Sequence, residues 1–379
     1  MKLKTFSYSN ESGWSIDGFP PLDSEQTLVI VFGASEYIVN PDAILDLGNA
    51  YPKSHLVGCS SSGEIFGPEL LDHSLSVAVL KFRKSTIATA WAEVSAKEES
   101  FSAGESIAKK LNRPELRGVL ILSDGLLVNG SELVRGVNSI LPPSVTVTGG
   151  LSGDGDRFKR TWVIAERVPQ TGHVCAIGLY GEKLRIGHGS KGGWDMFGPD
   201  RVVTRSKGNT LYELDGTPAL SLYKKYLGDR AAGLPATGLL FPLAIRENEE
   251  DEKRLVRTIL AVDEEEQSMT FAGDIPEGWL AYLMKANLDR LVEGASGAAH
   301  TAQALVQNTF PTLSIAISCV GRRLLLGERT EEETEATLDI LPEGTQQIGF
   351  YSYGEISPYT TGHCDLHNQT MTLTTIGEA

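Results

Sequence analysis

Hydrophobic residues in this chain gather in short unbroken runs more often than in the stripes of amphipathic helices. Residues 27–35 (TLVIVFGAS) and 118–125 (GVLILSDG) are continuous apolar segments that stop at Gly, Ser or Asp, as strands buried on both faces do. TLSIAISCVG, QIGFYSYGE and TMTLTTIGE repeat the pattern near the C-terminus, and VTVTGG, TWVIAER, VCAIGLYG and LRIGHGS extend it to about Ser190. Residues 75–94, two β-rich runs around Arg83-Lys84-Ser85, predict a hairpin. Two more hairpins are expected, one at Gly208-Asn209 and one around Glu264-Glu265-Glu266. Helical spacing marks SELVRGVNSIL with Ser131 as its cap, and PALSLYKKYLG with Thr217 as cap, Pro218 inside and Gly228 at the stop. It also marks EGWLAYLMKANLDRLVEGA, a helix onward through Leu305, and EEETEATLDIL. Each half thus offers a buried strand, a helix and a strand entering a Gly/Ser segment. The order predicts an α+β fold of two pseudo-repeated halves, with mixed β-sheets flanked by helices.

Two of those Gly/Ser segments nearly coincide. VGCSSSGEIFG begins at Val57 and IGFYSYGEISP at Ile348, sharing hydrophobic-Gly-x-x-Ser-x-Gly-Glu-Ile. Gly63 and Gly354 permit backbone angles closed to other residues and let a ligand approach the main chain. Ser60, Ser61 and Ser62 add hydroxyl donors, and Glu64 and Glu355 can either receive a ligand amine or pin the turn by accepting its hydrogen bonds. The nucleophile-elbow pattern G-x-S-x-G is missed, with Cys59 before Ser61, Ser62 after Ser60 and Phe350 before Ser352. GxGxxG between strand and helix and GxxxxGK[ST] are both absent, which removes the main signals of nucleotide folds.

Histidine supplies the other candidate chemistry. GHCDLHNQTMT, from Gly362, places His363, Cys364 and His367 within five residues. The Cys-x-x-His spacing offers two soft metal ligands without a second pair of zinc-like spacing, and one of its imidazoles can instead ligate a haem iron. His188 stands in a glycine-rich segment near Trp194 and Phe197, where it can face a planar ligand; Asp154 and Asp156 are too few for an EF-hand loop.

Charge narrows the partners. The net charge of −15 over 379 residues disfavours nucleic acid and anionic membranes, both of which need clustered Lys and Arg. The start, MKLKTFSYSN, is no signal peptide, and no window approaches the roughly 18 apolar residues of a membrane span. Four scattered cysteines, Cys59, Cys175, Cys319 and Cys364, read as reduced thiols, so a cytoplasmic location is expected.

Taken in order, GCSSSGEI, GGLSGDGDRF, VTRSKGNTLYELDGTPAL, FAGDIPEGW, CVGRRLLLG, GFYSYGEISP and CDLHNQTMTLT resemble the FIST family from about Gln26 to the end. The resemblance implies a leader segment over 1–25, a FIST N-terminal domain over 26–216 and a FIST C-terminal domain over 217–379. It implies a sensory, ligand-binding protein of signal transduction rather than an enzyme. One branch looks like haem-binding nitric oxide sensors that regulate a partner histidine kinase; small metabolites such as amino acids are the alternative ligands. Carried over by position, the ligand-binding candidates are Cys59, Ser60, Ser61, Glu64, Tyr353, Glu355, Cys364 and Asn368. His367 is the candidate haem axial ligand and His188 the runner-up. A hydrolase using Ser60, Ser61 or Cys59 is the least favoured reading.

Overall fold

In a computed structural model that describes residues 1–251, 254–303, 311–359 and 362–379, the buried apolar runs become the central strands of three sheets built to one plan. Each sheet has a strand, a crossover helix or helices and a second strand parallel to the first. The pairs are Thr27–Ala34 with His55–Ser61, Leu116–Ser123 with Thr146–Leu151, and Thr312–Cys319 with Gln346–Ser352. A return strand then pairs antiparallel with the first: Ser74–Lys81, His173–Tyr180 and Met371–Glu378. An outer strand completes each set: Lys2–Ser9, Thr86–Glu93 and Leu184–Lys191.

The sheets are locked together by short strands that leave their own unit. The strand after the first bend, Glu64–Phe66, pairs with Gln346–Ser352 of the third unit. Gly354–Pro358, after the third bend, pairs with Thr146–Leu151 of the second. Val163–Ala165 pairs back with the first unit through Val163 and Cys59, closing the cycle. Inward residues of all three sheets form one core that includes Ile30, Phe32, Leu120, Ile177, Ile317 and Phe350. The outward residues pack under helices, such as Val29 and Val31 under Ile44 and Leu47 of Asp42–Ala50. Burial on both faces is why these strands read as continuous apolar runs.

The glycine of the repeated motif follows from this packing. A Cβ built on Gly58, Gly149 or Gly349 would lie 2.1, 1.9 or 1.8 Å from the carbonyl oxygen of Val31, Ile121 or Ala316 on the parallel partner. Only glycine allows that approach.

A separate lobe, residues 195–285, is inserted between the outer strand Leu184–Lys191 and helix Leu288–Gln303. It forms its own antiparallel sheet around Leu211, Leu220, Leu243, Met269 and Phe271. The hairpin at Gly208-Asn209 and the one between Ile259–Asp263 and Ser268–Phe271 are present as expected.

The α+β class with mixed sheets and flanking helices stands, and the repeat has a third member. Several local expectations change. Residues 75–94 are not a hairpin: Ser74–Lys81 and Thr86–Glu93 belong to different sheets, and the link between them turns around Glu378. Its carboxylate accepts the amides of Arg83, Lys84 and Ser85, each at 2.8 Å. Leu280–Lys285 is a strand because it is the central partner of two others in the lobe, and the helix starts only at Leu288. That helix is described to Gln303, so Leu305 lies outside the described residues. Asn129, not Ser131, caps Gly130–Asn138, its side chain accepting the amides of Ser131 and Glu132. Thr217 and Pro218 pair as a short strand with Glu213 and Leu214, so Thr217 does not cap the helix. Within residues 1–25, Lys2–Ser9 pairs along its length with Ser74–Lys81, and the Met1 ammonium lies 3.2 Å from Glu378.

Candidate functional site

The two Gly-Ser-Glu bends are built alike. Ser61 Oγ donates to Glu64 Oε1 and accepts the Gly63 amide at 2.9 Å, while Glu64 Oε2 accepts the Ser74 amide at 3.1 Å and its hydroxyl at 2.7 Å. At the other bend Ser352 Oγ donates to Glu355 Oε1 at 2.7 Å, and Glu355 Oε2 accepts the Thr370 amide at 3.1 Å and its hydroxyl at 2.9 Å. Each carboxyl is a clasp that ties the bend to the return strand. Burial pushes both up to about 7, against the opposing pull of these hydrogen bonds. In the second unit the clasp is Asp124, at the end of the first strand. It accepts the amides of Leu126 and Leu127 at 2.8 Å, Thr161 Oγ1 at 2.9 Å and the Gly172 amide at 3.0 Å. The turn-pinning role of Glu64 and Glu355 is therefore the one the structure displays.

Three cavities sharing walls lie along these bends. A polar one of about 310 Å³ is lined by Ser61, Ser62 and Gly63, with Arg157, Arg323, Glu36, Asp72, His73 and Asp156 around them. Arg323 donates to the Ser62 carbonyl and, at 2.7 Å, to Asp72. Arg157 reaches Ser35 Oγ at 3.2 Å and lies 3.9 Å from Asp154. His73 is paired with Glu36, whose hydrogen bond raises its pKa. A more apolar cavity of about 520 Å³ lies between core and lobe and shares Asp156, Val320 and Leu324 with the first. A third, about 200 Å³, shares Phe158, Tyr353, Leu260 and Ala272 with the second. Phe158 stacks on Tyr353 at 4.5 Å between centroids and 15° between planes. Tyr353 belongs to the later bend, and its hydroxyl donates to Asp154 and Gly155 of the second unit. Both bends thus open on one groove, the first through Ser61–Gly63 and the other through Tyr353.

Of the candidates, Ser61, Glu64 and Tyr353 line the groove. Ser60 is buried and its hydroxyl accepts the Trp162 amide at 3.0 Å. Cys59 is buried in the central core, which raises its pKa well above the usual thiol value. Glu355 is buried behind its bend. Cys364 packs in the second core, with Sγ 3.3 Å from Asn138 Oδ1. Asn368 is fully buried, and neither atom of its amide has a partner among the described residues. His367 is also buried and its Nε2 donates to the Ser357 carbonyl at 2.9 Å. His188, half-buried on Leu184–Lys191, has its pKa lowered by burial. Neither imidazole lines the groove or its neighbouring cavities, so these residues do not fit haem there. Among the described residues no three His, Cys, Asp or Glu side chains cluster as a metal site, and all four cysteines are free thiols.

The sequence reading missed Arg157, Arg323, Asp72 and Phe158. Arg323 stands in CVGRRLLLG and Phe158 in GGLSGDGDRF, but only the interlocked sheets bring Arg323 to the first bend and Phe158 to Tyr353 of the later one. No helix among the described residues is long and apolar enough to cross a membrane.

No curated protein sequence matches this chain. Among solved structures, cyanuric acid hydrolase from A. caulinodans aligns over 100% of this chain and 98% of its own, at 8% identity and a TM-score of 0.38. PurLQS from Thermotoga maritima aligns over 95% and 67%, at 10% identity and a TM-score of 0.17. At these scores neither likeness bears on activity. The sequence itself matches the FIST N domain over residues 27–217 and the FIST C domain over residues 219–358. The segments that build the bends and the groove fall within those two matches, whose domains are associated with sensory signalling and ligand binding, and the chain belongs to the FIST family.

Proposed function

We propose that the chain is a haem-free receptor for a small zwitterionic metabolite, an amino acid or close relative, bound without chemical conversion. The observation that carries this reading is the polar cavity at the first bend. There the guanidinium groups of Arg157 and Arg323 share one lining with Glu36, Asp72 and Asp156, Arg323 being paired with Asp72 at 2.7 Å. A ligand carboxylate matches the planar guanidinium fork and a ligand ammonium matches the carboxylates. Ser61 and Ser62 line the same cavity.

A hydrolase is disfavoured by the clasp itself. The Ser61–Glu64 pair recurs as Ser352–Glu355, where both side chains are fully buried. An arrangement repeated away from the groove serves the fold rather than a nucleophile. Haem and nitric oxide sensing rest on the family resemblance, and the groove's histidine, His73, is already paired with Glu36. On this reading the output passes to a separate partner, a histidine kinase being the class the resemblance implies, and the protein works in the cytoplasm.

Thermal-shift screening of the common amino acids on the intact chain tests the proposal. A ligand at about 100 times its dissociation constant stabilises by about 2.7 kcal/mol. The shift is expected to vanish in Arg157→Ala. A flat response across the panel would remove the reading, and a Soret band from protein made in haem-supplied cells would replace it with the haem alternative.

A further inference from the structure

The charged cavity accounts for only part of the groove. Its neighbour is larger, about 520 Å³, and is walled by Val320 and Leu324 of the core and Leu234, Pro235, Ile259 and Leu260 of the lobe. The two spaces share Asp156, Val320 and Leu324, so a single molecule can occupy both. Two further observations point to an occupant. Thr258, only 6% exposed, lines this cavity, and its hydroxyl has no partner among the described residues. A buried polar atom without a partner is costly, and a ligand group can satisfy it. Phe158 stands at the edge of the same cavity with φ +50°, although it is 48% exposed. A bulky side chain in the left-handed region is uncommon, and such strain concentrates where a ligand is held. Here it lays one face of the ring on Tyr353.

We infer that the core–lobe cavity is a subsite for the apolar body of the ligand, which makes the ligand an amphiphile: a zwitterionic head at Arg157 and Arg323 joined to a branched or aromatic side chain. This rests on the receptor reading above and narrows it. The head alone leaves the 520 Å³ space unused, and an apolar ligand alone leaves the charged cavity beside it unused. Because the walls come from core and lobe, such a ligand also bridges the two, and small polar amino acids do not.

Isothermal titration of the intact chain with L-alanine, L-leucine, L-phenylalanine and indole tests the inference. Leucine carries three more carbons than alanine and is expected to bind roughly 50-fold tighter, with phenylalanine at least as tight. Leu260→Trp fills the cavity from a position already 42% exposed, and Ala236→Trp does so from a second exposed position on the lobe that does not line the charged cavity. Either variant is expected to bring leucine and phenylalanine to within about threefold of alanine while leaving alanine unchanged. Equal affinity of the wild type for alanine and phenylalanine would overturn the subsite while the zwitterion reading stands. Binding of indole without any amino acid would overturn the zwitterion head and support the apolar subsite. Binding of none of the four would overturn both.

Discussion

Glu355 offers a direct thermodynamic test of the clasp. Its carboxyl is fully buried, and burial raises its pKa from 4.5 to about 7 in the folded chain. In the unfolded chain the same group returns to the ordinary value, so between those limits the folded state holds the proton more tightly. The resulting stabilisation is complete below about pH 4.5 and is lost as pH rises through about 7. At 1.36 kcal/mol per unit, the change over that window is about 3 kcal/mol. Glu355→Gln replaces the titrating group with a neutral amide that can still accept from Thr370, so its own cost does not vary with pH. Urea unfolding of wild type and variant at pH 5 and pH 8 isolates the effect, because repulsion from the net charge of −15 is nearly shared by both proteins and cancels in the difference. The wild type is expected to lose about 2.5 kcal/mol more than the variant between the two pH values, since pH 5 lies just inside the window. Parallel losses would show that Glu355 is not a proton-holding clasp and would refute the reasoning for Glu64 as well.

Other substitutions probe the frame around the groove. Arg322 and Glu333 form a fully buried ion pair at 2.6 Å, and Ser318 and Tyr351 each donate to the same carboxylate at 2.8 Å. Glu333→Gln is expected to cost about 3–5 kcal/mol in urea unfolding by leaving a guanidinium uncompensated; a loss under about 1 kcal/mol would contradict the network. Gly349→Ala places a Cβ 1.8 Å from the Ala316 carbonyl and is expected to cost about 3 kcal/mol or more. Gly18→Ala, with no atom within 4 Å, is the control expected to stay within about 0.5 kcal/mol. Although burial opposes its charge, Glu378 is held down at about 2 by the amides of Lys84, Arg83 and Ser85. Its stabilisation is present above about pH 4.5 and is lost as pH falls through about 2, so Glu378→Gln should be weaker than wild type near neutrality and converge with it in acid.

How legible this was in the sequence depended on the range of the interaction. Strands buried on both faces announced themselves as apolar runs, and the helix 330–340 and the Gly208 turn were local patterns read correctly. The shared bend motif was legible because the same close strand contact demands glycine at residues 58 and 349. The third copy escaped notice because its clasp, Asp124, comes from the first strand of its unit and not from beyond the bend. The swapped strand pairings left no local trace: Glu64–Phe66 joins a sheet almost three hundred residues away. Leu280–Lys285 has helical-looking spacing and is a strand only because the lobe offers partners on both sides. The groove was the least legible part, since Asp72, Arg157, Phe158 and Arg323 converge only through the interlocked sheets.

Hydrogen exchange of the intact chain with and without saturating L-leucine tests the claim that one groove at the bends receives the ligand. Protection is expected at residues 61–64 and 155–158 and across 319–324, with the lobe wall at 258–260 joining them. Protection confined to other surfaces, or an unchanged exchange pattern under ligand that calorimetry shows to be bound, would contradict it.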